Sequence, residues 1–488
     1  MKYVSTRGGG EPQSFTSIVL SGLAKNGGLM VPESLPYFRP EDIEAMRGYS
    51  YQQLAFAIMR PFMDDISPEG LGVLVNKTYS EQVFGSKEIT PVSRIGLEEY
   101  LLHLSEGPTA SFKDIALQFL GNLFEYILEK ENRNVTILGA TSGDTGSAAM
   151  HALKGKKNVD VFILFPEGKV SLFQQSQMTT LTESNIFPVA IKGTFDDCQN
   201  AMKAVNKDEW FREHFNLSAI NSVNWDRVKS QMVYYFKGYY AISRPGGVID
   251  VTIPSGNSGN LMAGYYAKQM GLPIRNLIVA TNENDVLDVF FNEGIYRRKN
   301  VVETNSPSMD IQVSSNLERL LYEIVGRDPE MLRQMMEQFG KEGIALRNTK
   351  YWNALQKMGI KSGSATAADR KAAIQSMYHA EGMAIFIDPY TAYYPEKMAI
   401  IIDPHTANAL HVGRKYKEGG VPMLYLETAR PFKFDDAIKD AIGIIPDRPA
   451  RFQGIEKLKQ RYHTLPNDPE AVKNYIRKAT ESAFSIVS

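Results

Sequence analysis

The chain has 488 residues, of which 43% are apolar and 22% charged, with a formal net charge of −1. That is the balance of an ordinary soluble globular protein of two or three domains, with no basic or acidic field for nucleic acid or a membrane surface. No apolar run approaches the ~18–20 residues of a membrane span, the start "MKYVSTRGGGEPQSF" lacks a signal-peptide core, and the single cysteine, Cys198, admits no intramolecular disulfide, so a cytoplasmic enzyme is expected.

Residues 1 to about 95 form a mixed leader, in which "SFTSIVLSGLAKNGGLMVPESLP" gives a helix-like stretch, a Gly-rich turn and a Pro-bounded segment. From there to about residue 300, apolar strands alternate with helices. "NVTILGA" (134–140) precedes the helical "GSAAMHALKG", "VDVFILFP" (159–166) precedes a helix from Ser171, and "FPVAIKG" (187–193) precedes the amphipathic helix of Cys198, a packing residue. "VIDVTIP" (248–254) leads into "NSGNLMAGYYAKQMG", and "NLIVATN" (276–282) closes the run. Such alternation implies a mostly parallel sheet covered on both faces. Residues 310–380 look mainly helical, and "VPMLYLETA" (421–429) is a late strand. "EGMAIFIDPYTA" (381–392) is nearly repeated by "EKMAIIIDPHTA" (396–407), too few copies for a solenoid.

Three stretches carry possible chemistry. In "PTASFKD" (108–114), Ser111 and Asp114 resemble a capping box at the head of a helix, with Lys113 in its first turn. The positive end of the helix dipole and the neighbouring Phe112 both lower a lysine pKa there, which favours a nucleophilic neutral amine suited to Schiff-base chemistry. The plain alternative is a lysine snorkelling off a helix start. The loops "ATSGDTGSAA" (140–149) and "PSGNSGNL" (254–261) place glycines between a strand end and a helix start. Backbone N–H groups can converge there on an anion beyond the carboxyl edge of a parallel sheet. Either loop alone is equally a tight β–α turn. In "NSVNWDR" (221–227), Asn221, Ser222 and Arg227 offer an amide, a hydroxyl and a guanidinium to a phosphate or carboxylate, against the alternative of helix capping by Ser222 or Asn224. There is no H-E-x-x-H or G-x-S-x-G, and His405 and His411 lack metal-ligand spacing.

In order along nearly the whole chain, "STRGGGEPQSFTSIVLSGLAKNGGLMVP", "GPTASFKD", "ATSGDTGSAA", "FDDCQNAM", "NSVNWDRV", "PSGNSGN", "ATNEND", "SPSMDI" and "DPHTA" resemble the threonine synthases, pyridoxal-phosphate enzymes of the tryptophan-synthase-β-like fold. The resemblance implies an α/β fold of pyridoxal-phosphate fold type II. Two doubly wound α/β domains would surround a cofactor cleft, with an N-terminal threonine-synthase-type domain over residues 1–95. Residues 96–137 with 245–488 would form the large cofactor domain, and 138–244 the small substrate domain. Lys113 would form the Schiff base. Gly256, Asn257, Ser258, Gly259 and Asn260 would cradle the cofactor phosphate, and Thr406 would bond the pyridine nitrogen. Ser142, Gly143, Asp144 and Thr145 would hold the substrate carboxylate, and Asn221, Ser222 and Arg227 the substrate phosphate.

The resemblance further implies a carbon–oxygen lyase that turns O-phospho-L-homoserine and water into L-threonine and phosphate. Its partner would be that small molecule alone, with no metal, nucleic acid or membrane, in a monomer or homodimer. A neutral hydroxyl at the ring nitrogen would not enforce a protonated ring. Two departures from the family pattern stand out. Long-chain members often have G-N-F-G-D where this chain has G-N-S-G-N, a change that a cradle built from backbone N–H groups tolerates. The doubled DPYTA/DPHTA leaves Thr391 as the alternative to Thr406, but Pro395 breaks the helix that should follow Thr391. Rival readings are another lyase of this fold, such as threonine dehydratase, or a non-catalytic homologue that binds phosphorylated ligands.

Overall fold

The structure is a computed structural model that describes residues 1–141, 143–218, 220–379, 385–386 and 400–484. It divides into two compact units.

The first unit comprises Met1–Val19, Leu23–Ile115 and Ser222–Asp447. Among the described residues its sheet runs in the order Ile360–Ser364, Ile274–Thr281, Ile249–Pro254, Met423–Glu427, Glu99–His103, Val92–Gly96, Ile385–Phe386. The first five strands are parallel and the last two alternate in direction. Ile249–Pro254 and Met423–Glu427 are buried at every position, as strands covered on both faces must be. The expected late strand is thus central to the sheet. Its residues pair with Ile249–Pro254 on one side and Glu99–His103 on the other.

Three strands of this sheet went unread. The hairpin Val92–Gly96/Glu99–His103 turns through Glu98 at φ +57° with no Asn-Gly or Asp-Gly signal. Ile360–Ser364, "IKSGS", is a polar, Gly-containing edge strand within the stretch expected to be helical. The helix Pro404–Lys415 lays Ala407, Leu410 and Val412 against Ile278, Met423 and Tyr425 of the sheet. The leader closes into this same unit. Tyr3–Ser5 pairs antiparallel with Met30–Pro32, the Tyr3 hydroxyl donates to Phe62 O at 2.6 Å, and Thr6 and Arg7 both bond Glu318.

The second unit comprises Leu20–Gly22, Ala116–Asn221 and Arg448–Ser488. Its sheet is wholly parallel among the described residues, in the order His463–Leu465, Ile186–Ile191, Val159–Pro166, Val135–Ala140, Leu217–Ser218. Leu138, Phe162, Ile191 and Phe211 form its core with Val472 and Ile476 of the helix Pro469–Phe484. Cys198 lies fully inside this core, and burial pushes its thiol up to about 11, so it is a packing residue. The contact boundaries differ from the expected division. The helix Trp225–Ile242 groups with the first unit because its buried Tyr235 packs against Gly264 of the helix Gly259–Gln269. The stretch from Arg448 groups with the second because its apolar helix face completes that core.

Candidate active site

The loop before Lys113 begins where Glu99–His103 ends, and is strapped to the end of Met423–Glu427. Glu427 pairs in register with His103, Leu104 N donates to Glu427 O at 3.2 Å, Phe112 N donates to Thr428 O at 2.9 Å, and Ser111 bridges Ala429. Ala110 takes a left-handed φ of +56°, a strained conformation for a residue with a side chain. Gly107 has no room for a side chain, since a Cβ there would meet Asp114 Cβ at 2.3 Å.

The helix Lys113–Glu131 starts where the sequence predicts. Its capping contact recruits Thr109, whose N–H and hydroxyl each donate to Asp114 at 2.8 Å. Burial pushes the Asp114 carboxyl up to about 6, although the bonds from Thr109 and the nearby Lys433 favour its charged form. Lys433 Nζ in turn donates to Thr109 O at 2.9 Å. Lys113 Nζ sits 5.1 Å from the centre of the Phe112 ring. The ring thus neighbours the amine.

A buried polar array supports the base of the loop. Glu427 accepts from His103 Nδ1 and from the Ser105 hydroxyl, and His103 Nε2 lies 2.6 Å from the Ser93 hydroxyl. Burial alone would raise the Glu427 carboxyl, but Arg430, His103 and Ser105 outweigh it and hold the group at about 2. Sequence reasoning missed these residues, because polar side chains at strand ends carry no period or motif.

The glycine loop follows Ile249–Pro254. That strand pairs in parallel with Met423–Glu427, with Asp250 opposite Met423 and Thr252 opposite Tyr425. The glycine loop and the Lys113 loop therefore leave the strands on either side of Met423–Glu427, at one carboxyl edge, where ligands of open parallel sheets lie. A Cβ on Gly256 would meet Ile311 Cδ1 at 2.9 Å and Ser308 O at 3.1 Å. Ser258 caps the helix Gly259–Gln269 at φ +55°, with its hydroxyl 2.6 Å from that of Ser314. Asn257 O accepts from Asn316 N at 3.0 Å, and Asn257 Oδ1 from the Ser315 hydroxyl at 3.0 Å. Ser315 Oγ also lies 2.9 Å from Ser222 Oγ, and Asn316 Nδ2 donates to Ser222 O at 3.0 Å. The segment 314–316 thus clamps the predicted glycine loop to predicted Ser222, a role that its bare "SSN" did not signal.

Of the two expected caps, Asn224 is the one that forms, accepting from Asp226 N at 3.0 Å. Arg227 lies in the first helical turn as expected and is fully enclosed. Burial pushes its guanidinium down to about 10, still a cation at neutral pH. Its Nε and Nη1 have no hydrogen-bond partner. Asn260 accepts the Tyr234 and Tyr235 hydroxyls at 2.6 and 2.7 Å on its Oδ1, while its Nδ2 has no partner. Buried donors without acceptors are rare in native structures, and these call for an anion. Thr406 begins the helix Pro404–Lys415, capped by Asp403. The adjacent His405 accepts from Ser308 N at 3.2 Å, and Ser308 also flanks Gly256. Lys113, Gly256–Asn260, Ser222, Arg227 and Thr406 therefore all belong to the first unit. The alternative Thr391 lies outside the described residues.

The remaining predicted residues belong to the second unit. Thr141 Oγ1 accepts from Gly143 N at 3.1 Å and Gly146 N at 3.0 Å, which curls the loop ahead of the helix Asp144–Leu153. A Cβ on Gly143 would meet the Gln174 amide at 2.9 Å, and Asp144 accepts from Gln174 Nε2 at 3.0 Å. Thr145 is half-buried within that helix, and Asn221 follows the short strand Leu217–Ser218. Ser142 lies outside the described residues.

Comparison with known proteins shows likeness along nearly the whole chain. Residues 2–79 match the family described as threonine synthase N terminus, 87–349 the pyridoxal-phosphate dependent enzymes, and 406–476 the threonine synthase C-terminal family. The chain is 44% identical to the threonine synthase of Methylobacillus glycogenes, over 98% of this chain and 99% of that protein. It is 36% identical to that of Saccharomyces cerevisiae, over 95% of each. The crystal structure of pyridoxal-phosphate-bound threonine synthase from Brucella melitensis superposes with a TM-score of 0.90 at 39% identity, covering 98% of this chain and 99% of that one. The chain that carries Lys113 at the edge of this sheet belongs to the threonine synthase family of pyridoxal-phosphate-dependent enzymes.

Proposed function

We infer that the chain converts O-phospho-L-homoserine and water to L-threonine and phosphate. The observation that carries this reading is that the Lys113 and glycine loops leave the two parallel strands that flank Met423–Glu427, at one carboxyl edge of the sheet. A single ligand with a reactive carbonyl at one end and a phosphate at the other fits that arrangement. The residues suit the cofactor. Gly256 leaves a side-chain-free turn against Ser308, Ser258 opens a helix N-terminus, and buried Asn260 carries an unpaired donor. Gly256, Asn257, Ser258, Gly259 and Asn260 would hold its phosphate, Lys113 its carbonyl carbon and Thr406 its ring nitrogen.

When bound, pyridoxal phosphate supplies the electron sink that no side chain provides. Lys113 then moves protons at the substrate Cα, Cβ and Cγ. The Arg227 guanidinium takes the substrate phosphate and steadies its charge as it leaves Cγ, with Ser222 and Asn221 assigned to the same group. Ser142, Gly143, Asp144 and Thr145 orient the substrate carboxylate with the N–H groups of their helix start. A cytoplasmic setting, and a three-part division into leader, cofactor and substrate domains, complete the reading.

Incubation with phosphohomoserine should release phosphate and form threonine in equal amounts. Ammonia release from threonine without phosphate release from phosphohomoserine would instead make the chain a dehydratase.

A further inference from the structure

Asp403 is surrounded by donors. It accepts from His405 N at 2.9 Å, His405 Nδ1 at 2.8 Å, Thr406 N at 3.4 Å and the Thr406 hydroxyl. The His405 tautomer is set from its other side, because Nε2 accepts the Ser308 N–H and the ring's proton therefore sits on Nδ1, facing Asp403. Asp403 and Thr406 are both buried, so water does not complete the set. An ionised carboxylate only accepts hydrogen bonds. The Thr406 hydrogen is thus committed to Asp403, and the Thr406 oxygen presents lone pairs alone to any further partner.

We propose that Asp403 is a positioning residue that, by drawing the Thr406 hydroxyl hydrogen to itself, makes this chain hold the pyridine nitrogen of its cofactor in the protonated form, as a donor to Thr406 Oγ1. This rests on the reading that Thr406 faces the ring nitrogen. It goes against the expectation that a neutral hydroxyl at the ring nitrogen would not enforce a protonated ring. The acid is present one hydrogen bond further back, where its charge still favours a cation at the ring in a site closed to water. Asp403 need not touch the cofactor to do this.

The test uses holoenzyme reconstituted with pyridoxal phosphate carrying nitrogen-15 in the ring, read by nuclear magnetic resonance with no turnover involved. The ring nitrogen should show the shift and one-bond proton coupling of a protonated pyridine at neutral pH. In Asp403→Asn the amide oxygen keeps the helix cap, while its Nδ2 donates to the Thr406 oxygen and turns the Thr406 hydrogen toward the ring. The nitrogen should then lose its proton. Thr406→Val, which removes the acceptor, should have the same effect. An unprotonated nitrogen in the parent enzyme overturns the proposal, and if Thr406→Val still moves that signal, the contact between Thr406 and the ring survives. A protonated nitrogen that ignores Thr406→Val overturns the contact, and the proposal with it.

Discussion

Asp114 and Thr109 close a small ring ahead of the Lys113 helix, the carboxylate accepting both the N–H and the hydroxyl of Thr109 at 2.8 Å. The ring holds Ala110 in its left-handed conformation between them. Thr109→Val keeps the side-chain shape but leaves a buried carboxylate one donor short. The unfolding free energy of the unit should fall by about 1–3 kcal/mol, checked as a lowered thermal midpoint of the apoprotein.

The same carboxyl makes stability depend on pH. Its folded value of about 6 exceeds the ordinary 3.8, so the folded state binds the proton more tightly than the unfolded chain. The stabilisation is complete below the ordinary value and is lost as pH rises through about 6, a change on the order of 3 kcal/mol at most. Asp114→Asn should remove it. Relative to the parent, the variant's unfolding midpoint should rise between pH 4 and 7 and then level off. A difference that stays flat over that interval would show that Asp114 does not titrate there.

Lys113→Ala should abolish threonine formation and the cofactor's visible absorbance at a protein amine. In the parent protein, borohydride should fix a pyridoxyl group to the peptide containing Lys113, a mass that peptide mapping reads directly. Full turnover in the variant would remove Lys113 from the chemistry.

Gly256→Ala pushes a methyl group against Ser308 O and Ile311. Affinity for pyridoxal phosphate should drop tenfold or more, measured by absorbance titration of the apoprotein. Gly419→Ala, where a Cβ meets nothing within 4 Å, should leave it unchanged.

Arg227 is an enclosed cation near the buried Asp226, and its Nε and Nη1 have no partner, an arrangement that carries a desolvation cost. Arg227→Met leaves Asp226 paired with Lys229 and should raise KM for phosphohomoserine at least tenfold, with no fall in the thermal midpoint of the apoprotein. A lowered midpoint with unchanged KM would make Arg227 a structural residue.

The strands rich in apolar residues, Val159–Pro166 and Ile249–Pro254, were legible to within a residue, because burial on both faces leaves that signature. So were the Lys113 helix and the loops with glycines, whose turn chemistry is local. Contacts between segments distant in sequence were not legible. Ser315 and Asn316 meet Asn257 and Ser222 through tertiary placement alone. Nothing local marks which sheet the short strand His463–Leu465 joins, and it pairs with Ile186–Ile191 of the second unit.

That strand has a consequence for biosynthesis. It forms the edge of the second sheet beside Ile186–Ile191, and Val472 and Ile476 complete the core around Cys198. The ribosome must translate nearly all of the first unit before these residues exist. The nascent second unit therefore waits with an open sheet edge and an unfilled apolar face, the condition in which a growing chain most needs a chaperone.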